Sequence, residues 1–413
     1  MRTLLDAILK RFIVLGRLTV RWPDGAISSY TGEPGPEAVL ELRDARTVRR
    51  VTLNPLLAIG EAYMDGGLVP ADGTIYDALD VLVANLAAEN GSHAIAGVRQ
   101  WLGDVTRSIS QFNPAHRARR NVAHHYDLSG RLYSLFLDRD RQYSCAYFPR
   151  GDETLEEAQI AKKRHIAAKL RLDRPDLTVL DIGCGWGGLA LTLARDYGAR
   201  VTGITLSTEQ LEEAQARARA EGLEDRVSFE LMDYRAMHRS FDRIVSVGMF
   251  EHVGVVHYRE YFEIVKRCLA PDGVALIHAI GRFDGPSSTN PWIRKYIFPG
   301  GYCPSLSEVF PAIEKTGLIA TDLELLRLHY AETLRHWRRR FAANRDAIAG
   351  IYDERFCRMF EFYLAGCELA FRRQGHMIFQ LQIARDIAAV PLTRDYITDA
   401  ERRAAARERV AAE

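Results

Sequence analysis

The chain opens with apolar side chains at helical spacing, which predicts an amphipathic helix: Leu4, Leu5, Ile8, Leu9, Phe12 and Ile13. Period-two alternation follows in GRLTVRW and EAVLELRD, and it predicts two short strands on either side of the turn-rich PDGAISSYTGEPGP. Helical patterns return in PLLAIGEAYMDG and TIYDALDVLVANLAAEN. Together these elements predict a small mixed α/β domain over residues 1–112, with a boundary near Asn113-Pro114.

From Thr154 onward the pattern changes to an alternation of strands and helices. Five segments rich in Val, Ile and Leu are separated by helical stretches: LTVLDIG, ARVTGITL, VSFELMD, FDRIVSVG and GVALIHAIG. Such alternation predicts a parallel Rossmann-like sheet covered on both faces, followed here by a largely helical C-terminal stretch. Ligands of such sheets bind outside the carboxyl ends of the strands. Residues 113–413 are therefore expected to form the ligand-binding domain.

A glycine loop follows the first of these strands. Gly183, Gly185 and Gly188 have the G-x-G-x-x-G spacing, which allows a tight turn and close approach of a ligand to the backbone. A dinucleotide site should have an acidic residue about 20 residues further on, but the second strand ends in GITLS. Asp181 gives the D-x-G-x-G form of S-adenosylmethionine (SAM) sites, and Asp233 can accept a hydrogen bond from an adenine amino group. The pattern favours SAM over a dinucleotide or a loop without a ligand.

Composition excludes several classes of protein. The 413 residues are 47% hydrophobic and 26% charged, with a formal net charge of +1, so no overall charge attracts nucleic acid. The six cysteines form no C-x-x-C pair, which argues against a disulfide framework or a zinc site and indicates a reducing cytoplasm. No apolar run reaches the roughly 18–20 residues that span a bilayer. The N-terminal stripe remains open to two interpretations, packing in its own domain or lying at a membrane interface.

Motifs on both sides of the glycine loop resemble those of the cyclopropane fatty acid synthase family. They are HHYDL, QYSCAY, DIGCGWGG, GITLSTEQ, FEHVG and KYIFPGGY, in this order, between Asn121 and about Phe371. The first domain, with IGEAYMDGG, resembles the N-terminal domain of the longer bacterial members. The resemblance implies a class I SAM-dependent methyltransferase that transfers a methylene group to a cis double bond of an unsaturated phospholipid acyl chain. It also implies peripheral association with the inner face of the membrane, and it is compatible with a homodimer.

The family's functional residues carry over where the motifs match. The implied SAM contacts are Tyr143, Ser144, Asp181, Gly183, Gly185, Thr205, Leu206, Gln210, Asp233 and Tyr234. The family also holds a bicarbonate ion that acts as a general base, and its implied ligands are Cys145, Glu251, His278 and Tyr330. Cys367 matches a further cysteine of the bacterial members, and its role is unassigned. Trp292, Tyr296 and Phe298 would help to form the wall of the acyl site, whereas Cys184 is left out of the mechanism.

The chemistry explains why such a set is needed. When an alkene accepts a methyl group, a cation forms on the acyl chain, and the new methyl group must lose a proton to close the ring. A base has to lie within hydrogen-bond reach of that methyl group, and water must be excluded. No side chain of these motifs is an obvious base for a C–H proton. Taken one at a time, Cys145, His278 and Tyr330 suit core packing equally well, and only the joint match to the family assigns them a role.

Two departures leave the substrate open. Arg139 and Arg141 stand in DRDRQYSC, where bacterial relatives commonly have proline and an apolar residue, and Ser129-Gly130-Arg131 replaces the usual Gly-Asn pattern. A C-methyltransferase that makes methyl- or methylene-branched chains is the first alternative, and an N-methyltransferase for amines is the second. Alternatives of other classes are a lipid-surface binding protein without activity and a nucleic-acid methyltransferase. The latter lacks its target-base motif, because GMFEHVG follows the fourth strand.

Overall fold

The computed structural model describes residues 1–88 and 130–412, which form two compact units. The expected boundary near Asn113-Pro114, the basic cluster HRARR and the HHYDL motif lie outside the described residues. The first unit combines the described residues up to 88 with Ser287–Pro299 and Ala331–Gly375. Each unit is therefore built from several separate segments of the described chain, whereas the sequence predicts two domains separated by a single boundary.

The first unit contains a four-stranded sheet in the order β2-β1-β3-β4. The strands are β1 Leu15–Arg21, β2 Ile27–Thr31, β3 Glu33–Leu42 and β4 Leu68–Asp72. Strands β1 and β3 run parallel, while β2 and β4 are antiparallel to their neighbours. The prediction of a turn-rich PDGAISSYTGEPGP was wrong, because this stretch contains β2 and the start of β3. Strand β2 lies at the edge of the sheet, and Tyr30 is its one buried residue, so its sequence carries little apolar signal.

The first four helices of this unit contact its sheet, and later helices pack against helices. In chain order, the helices of the unit are Arg2–Phe12, Ala45–Leu53, Pro55–Met64, Ile75–Ala88, Pro291–Tyr296, His329–Ala343, Arg345–Ala349 and Glu354–Arg373. The helix Glu354–Arg373 packs against Pro55–Met64 and Ile75–Ala88. Its Ala365 and Leu369 are buried in the same apolar core as the strands of the sheet. This shared core is the physical reason that a segment from late in the chain belongs to the first unit.

The second unit confirms the expected class I methyltransferase fold. Its seven-stranded sheet has the order β10-β11-β9-β8-β5-β6-β7. The strands are β5 Thr178–Ile182, β6 Arg200–Thr205, β7 Val227–Leu231, β8 Phe241–Val247, β9 Leu269–Arg282, β10 Ile319–Leu326 and β11 His376–Ala384. Strands β9, β8, β5, β6 and β7 are parallel, as predicted. The helices are Gly130–Phe136, Leu155–Lys169, Gly188–Tyr197, Thr208–Ala220, Tyr258–Cys268, Leu306–Glu314 and Asp395–Ala412.

The two strands that complete this sheet depart from the prediction. Strand β11 pairs antiparallel with β9 and β10, although the C-terminal stretch was predicted to be largely helical. From Met377 onward every residue of β11 is buried, so the strand shows no alternation of polar and apolar positions. A short run of this kind cannot be distinguished from a buried helix by its periodicity.

Capping residues define where the helices Leu155–Lys169 and Thr208–Ala220 begin. Thr154 Oγ1 accepts a hydrogen bond from Glu157 N at 3.3 Å, and Glu157 Oε2 accepts one from Thr154 N at 2.8 Å, so the two residues form a capping box. Ser207 Oγ accepts a hydrogen bond from Gln210 N, which confirms its predicted capping role. Within the described ranges, none of the helices has the length and apolar character needed to cross a membrane.

Candidate active site

A cleft of about 150 Å³ lies at the carboxyl ends of β8, β5, β6 and β7. Every residue predicted to contact the cofactor lines this cleft: Tyr143, Ser144, Asp181, Gly183, Gly185, Thr205, Leu206, Gln210, Asp233 and Tyr234. The structure therefore brings together predicted residues from the ends of β5, β6 and β7 and from the segment before the Leu155–Lys169 helix. This is the position at which parallel α/β sheets bind their ligands.

The glycine loop provides the floor of the cleft. Gly183 and Gly185 have φ angles of 82° and 55°, a region that favours glycine. A Cβ atom on Gly185 would meet no other atom within 4 Å, so the space above this residue is open to a ligand. The loop then turns into the helix Gly188–Tyr197, whose cap is Gly187. This open space is compatible with the close approach of a ligand that the sequence predicts at this point, and the approach stays a prediction.

Asp181 is buried at the end of β5 and lines the cleft. Burial raises the pKa of its carboxyl group to about 7, although the nearby Lys162 lowers it in part. Its Oδ2 has no hydrogen-bond partner among the described residues. A buried polar atom of this kind requires a partner, and a donor group of a bound ligand would supply one.

The other side of the cleft holds the acceptor expected for adenine. Asp233 Oδ1 accepts from Arg235 N at 3.0 Å and Oδ2 from Arg235 Nη1 at 2.9 Å. The same guanidinium lies 4.9 Å from the centre of the Tyr234 ring. Thr205 Oγ1 donates to Gln210 Oε1 at 3.0 Å, which joins the end of β6 to the next helix. The carboxylate of Asp233 is thus held in place by a residue that sequence reasoning missed.

Glu251 lies in the 3₁₀ helix Phe250–His252 that follows β8, and His278 lies on the neighbouring strand β9. Glu251 Oε1 accepts from Ile280 N at 2.6 Å, and Gly248 N donates to the carbonyl oxygen of His278 at 2.9 Å. Burial raises the pKa of Glu251 to about 7. Burial, together with the charges of nearby lysines, lowers the pKa of His278 well below its ordinary value. One carboxylate oxygen of Glu251 and Nε2 of His278 are buried without a partner among the described residues.

The remaining catalytic candidates lie on other elements. Cys145 is buried, and its thiol donates to the carbonyl oxygen of Ala146 at 3.2 Å. Tyr330 is buried near the start of the His329–Ala343 helix, and the preceding His329 accepts a hydrogen bond from Phe148 N at 2.9 Å. This bond ties Tyr330 to the segment that carries Cys145. None of the four bicarbonate candidates lines the cofactor cleft itself.

Four predicted residues lie in the first unit instead: Cys367, Trp292, Tyr296 and Phe298. Cys367 belongs to the helix Glu354–Arg373 and is partly exposed. Trp292 is fully buried and packs on Phe362 with 4.6 Å between ring centres. Tyr296 donates from its hydroxyl group to Glu61 Oε1 at 2.9 Å. These contacts give Trp292 and Tyr296 packing roles within the first unit, and a role in the acyl site stays a prediction.

Sequence reasoning missed several side chains at the cleft. Gln142, Trp186, Met249 and His252 also line it, and burial lowers the pKa of His252 to about 4. Lys162 donates to Gln142 Oε1 and Ser144 Oγ and is buried. His252 is itself the histidine of the FEH motif, and this position was the sequence signal that could have found it. Nothing in the periodicity of the helix Leu155–Lys169 marks Lys162.

Comparison with known proteins shows the family of this chain. The family model described as mycolic acid cyclopropane synthetase matches residues 114–381. A cyclopropane-fatty-acyl-phospholipid synthase of Escherichia coli is 40% identical over 85% of this chain and 88% of its own length. The chain belongs to the mycolic acid cyclopropane synthetase family. A tuberculostearic acid methyltransferase of Mycobacterium tuberculosis is 34% identical over 92% of this chain and 91% of its own length.

Solved structures of family members share the fold of the second unit. A mycolic acid cyclopropane synthase complexed with S-adenosylhomocysteine (SAH) and CTAB is 34% identical, with a TM-score of 0.62. The match covers 66% of this chain and 99% of that structure. This member of the cyclopropane synthetase family is thus a SAM-dependent methyltransferase, and the residues that line its cleft fit the cofactor. Asp181 Oδ2, which has no partner among the described residues, and the open space above Gly185 are the observations that carry this fit.

Proposed function

We propose that this enzyme transfers a methylene group from SAM to the cis double bond of an unsaturated phospholipid acyl chain and forms a cyclopropane ring. When bound, SAM supplies an electrophilic methyl group. The residues of the chain would hold the cofactor through Asp181, Asp233 and the glycine loop. The observation that carries the proposal is that one cleft gathers every predicted cofactor residue, in a chain 40% identical to a named cyclopropane-fatty-acyl-phospholipid synthase.

The general base is proposed to be a bicarbonate ion, and the donor set supports it. Gln380 Nε2, an amide nitrogen that can only donate, lies 3.1 Å from His278 Nδ1, so the neutral imidazole accepts there and carries its proton on its own Nε2, which is a donor. Glu251 Oε2 is an acceptor without a partner among the described residues. An ion that has both an oxyanion and a hydroxyl group suits one donor and one acceptor of this kind. Cys145 and Tyr330 are proposed as its further ligands.

Membrane association is supported by one face of the N-terminal helix. Leu5 and Ile13 pack in the core of the first unit, whereas Leu4 and Ile8 are 51% and 43% exposed. Arg11 lies on the same face as these two residues by helical geometry and is also exposed. An apolar ridge with a cation beside it suits the surface of an anionic bilayer. We propose that the enzyme meets its phospholipid peripherally, at the inner face of the cytoplasmic membrane.

The test of the function is incubation with SAM and vesicles of a monounsaturated phospholipid, followed by mass spectrometry of the acyl chains. A chain that is heavier by one methylene group and resists hydrogenation of double bonds supports the cyclopropane product. The named tuberculostearic acid methyltransferase, similar over 92% of this chain, favours a second candidate, C-methylation to a branched chain. A methylene-branched product has the same mass as the cyclopropane product but would take up hydrogen, and this result would assign the second candidate. A saturated methyl branch is not expected here, because its formation needs a hydride donor that the assay does not contain.

A further inference from the structure

The helix Leu155–Lys169 carries a buried ammonium group beside the cofactor cleft. Lys162 has 1% of its surface exposed, and its Nζ lies 2.8 Å from Ser144 Oγ and 2.6 Å from Gln142 Oε1. Both partners line the cleft. One turn earlier on the helix, Gln159 Nε2 donates to the carbonyl oxygens of Ser144 at 3.0 Å and Gln142 at 3.3 Å. The helix therefore fixes both the backbone and the side chains of this segment.

The direction of these bonds determines which atoms of Ser144 remain for a ligand. An ammonium group only donates, so Ser144 Oγ must act as the acceptor toward Lys162. The hydroxyl proton of Ser144 is then free to be donated elsewhere, and the side chain lines the cleft. A hydroxyl group polarised by a cation is a stronger donor, and it suits an anionic acceptor best.

The end of the cleft at which Ser144 lies indicates which part of the cofactor it meets. Asp233, the acceptor proposed for adenine, follows β7 at the edge of the sheet, whereas Ser144 Oγ lies 2.8 Å from Lys162 Nζ, whose charge acts on Asp181 at the end of β5. With adenine at β7, the amino-acid end of the cofactor extends toward β5 and the segment of Ser144. The carboxylate of that end is the anionic group of the cofactor.

We propose that Lys162 is a positioning residue for the amino-acid end of the cofactor, and that it acts through the hydroxyl group of Ser144. The inference rests on the proposed cofactor role of the cleft. The charged and titratable groups that act on Lys162 are Asp138, Asp140, Lys163, Cys145, Asp181 and His278. Burial lowers the pKa of Lys162 to about 8 despite the two neighbouring aspartates. Its charge is therefore present at neutral pH and is lost as the pH rises above that value.

The test compares two ligands of the purified full-length protein by titration calorimetry. SAH carries the amino-acid end, and 5′-methylthioadenosine lacks it. Lys162→Met is expected to weaken SAH binding about 10- to 100-fold, the effect of losing one charge-assisted hydrogen bond. Binding of methylthioadenosine is expected to change by no more than about twofold, because the adenosine contacts remain. An equal loss for both ligands would show a merely structural role and would overturn the proposal.

Further variants keep the proposal falsifiable. Lys162→Arg keeps a donating cation and is expected to regain part of the SAH affinity, which also covers the case in which Lys162→Met fails to fold. In a double-mutant cycle, Lys162→Met should add little to Ser144→Ala, because Lys162 acts through that hydroxyl group. Additive losses would contradict this route. The matched control is Lys266→Met, since Lys266 donates to the carbonyl oxygen of Thr316 at 2.6 Å and does not line the cleft.

The same titrations separate this inference from the proposed function. If the unmodified protein binds neither SAH nor methylthioadenosine, the cofactor role of the cleft fails. If it binds SAH tightly and Lys162→Met binds it equally well, only the role of Lys162 fails.

Discussion

Glu251 offers the sharpest test of the electrostatics of the site. Its side chain is buried, and burial raises its pKa from the ordinary 4.5 to about 7. The variant Glu251→Gln removes the charge and keeps an oxygen that accepts the hydrogen bond from Ile280 N. The free energies of unfolding of the two proteins should therefore differ chiefly by the cost of burying the carboxylate of Glu251 away from water.

The sign follows from proton binding. Between the two pKa values, folded Glu251 holds a proton that the unfolded chain has released, so a rising pH favours the unfolded chain. The cost equals 2.303RT times the difference between the pKa values, which is about 3 kcal/mol once the pH exceeds the folded pKa. Stability of the unmodified protein relative to Glu251→Gln should thus fall by about 3 kcal/mol between about pH 5 and about pH 8.

The assay is urea denaturation of both proteins at the two pH values, in buffers freed of carbon dioxide. The control is Glu263→Gln, which removes a charge from a half-exposed side chain paired with Arg259 at 2.8 Å. A surface pair of this kind contributes at most about 1 kcal/mol, so its stability difference should stay small at both pH values. If the free energies of unfolding of Glu251→Gln and of the unmodified protein differ by the same amount at both pH values, the carboxyl group is not desolvated and the reasoning is refuted.

Three further predictions follow from the cleft and its supporting helix. Gly185→Ala should weaken SAH binding at least about tenfold, because the added methyl group enters the cleft. It should also lower the free energy of unfolding by about 1–2 kcal/mol, because alanine is strained at a positive φ. The control Gly222→Ala has a similar positive φ at a site that does not line the cleft, and it should show the same loss of stability without the loss of affinity. Asp233→Asn should lower SAH affinity about tenfold and should reduce the ratio of the affinities for SAH and for its inosine analogue, which calorimetry with both ligands measures. An unchanged ratio would place adenine elsewhere. Thr154→Ala should cost about 1 kcal/mol in urea denaturation through loss of the capping box, with SAH affinity retained; a loss of affinity would show that the start of this helix shapes the cleft.

The sequence predicted the parallel part of the fold, and the residues that it proposed for the cofactor converge on one cleft, for a physical reason. Strands of a covered parallel sheet are apolar along their length, and their carboxyl ends meet at one edge, so motifs far apart in the chain were expected to converge. Gly183 and Asp233, 50 positions apart in the numbering, do line one cleft. The prediction failed where the chemical environment is set by partners distant in sequence.

Strand β11 and Lys162 illustrate these failures. Strand β11 supplies Gln380, the hydrogen-bond partner of His278, but its uninterrupted burial hides the period of a strand. Lys162 lies in a helix rich in charged residues, where a lysine is expected to face solvent. It is buried because the segment that contains Gln142 and Ser144 crosses over it and supplies two acceptors. Such a contact depends on the tertiary fold and leaves no mark on local periodicity.

The division of the chain illustrates a third limit. Residues 331–375 share the core of the first unit although they follow most of the strands of the second. An amphipathic helix records that one face is buried, but its sequence does not record which sheet covers that face. The Glu354–Arg373 helix therefore could not be assigned to a unit from its pattern alone.

The most direct test of the central claim is the conversion of a monounsaturated phospholipid in vesicles by the purified protein with SAM, measured with and without added bicarbonate. The account predicts a cyclopropane acyl chain, formed faster with bicarbonate, and loss of product in both Glu251→Gln and His278→Ala. Near-normal turnover of both variants, or a rate independent of bicarbonate in buffers freed of carbon dioxide, would contradict the proposed base. The absence of any modified acyl chain, from protein that binds SAH, would contradict the proposed reaction.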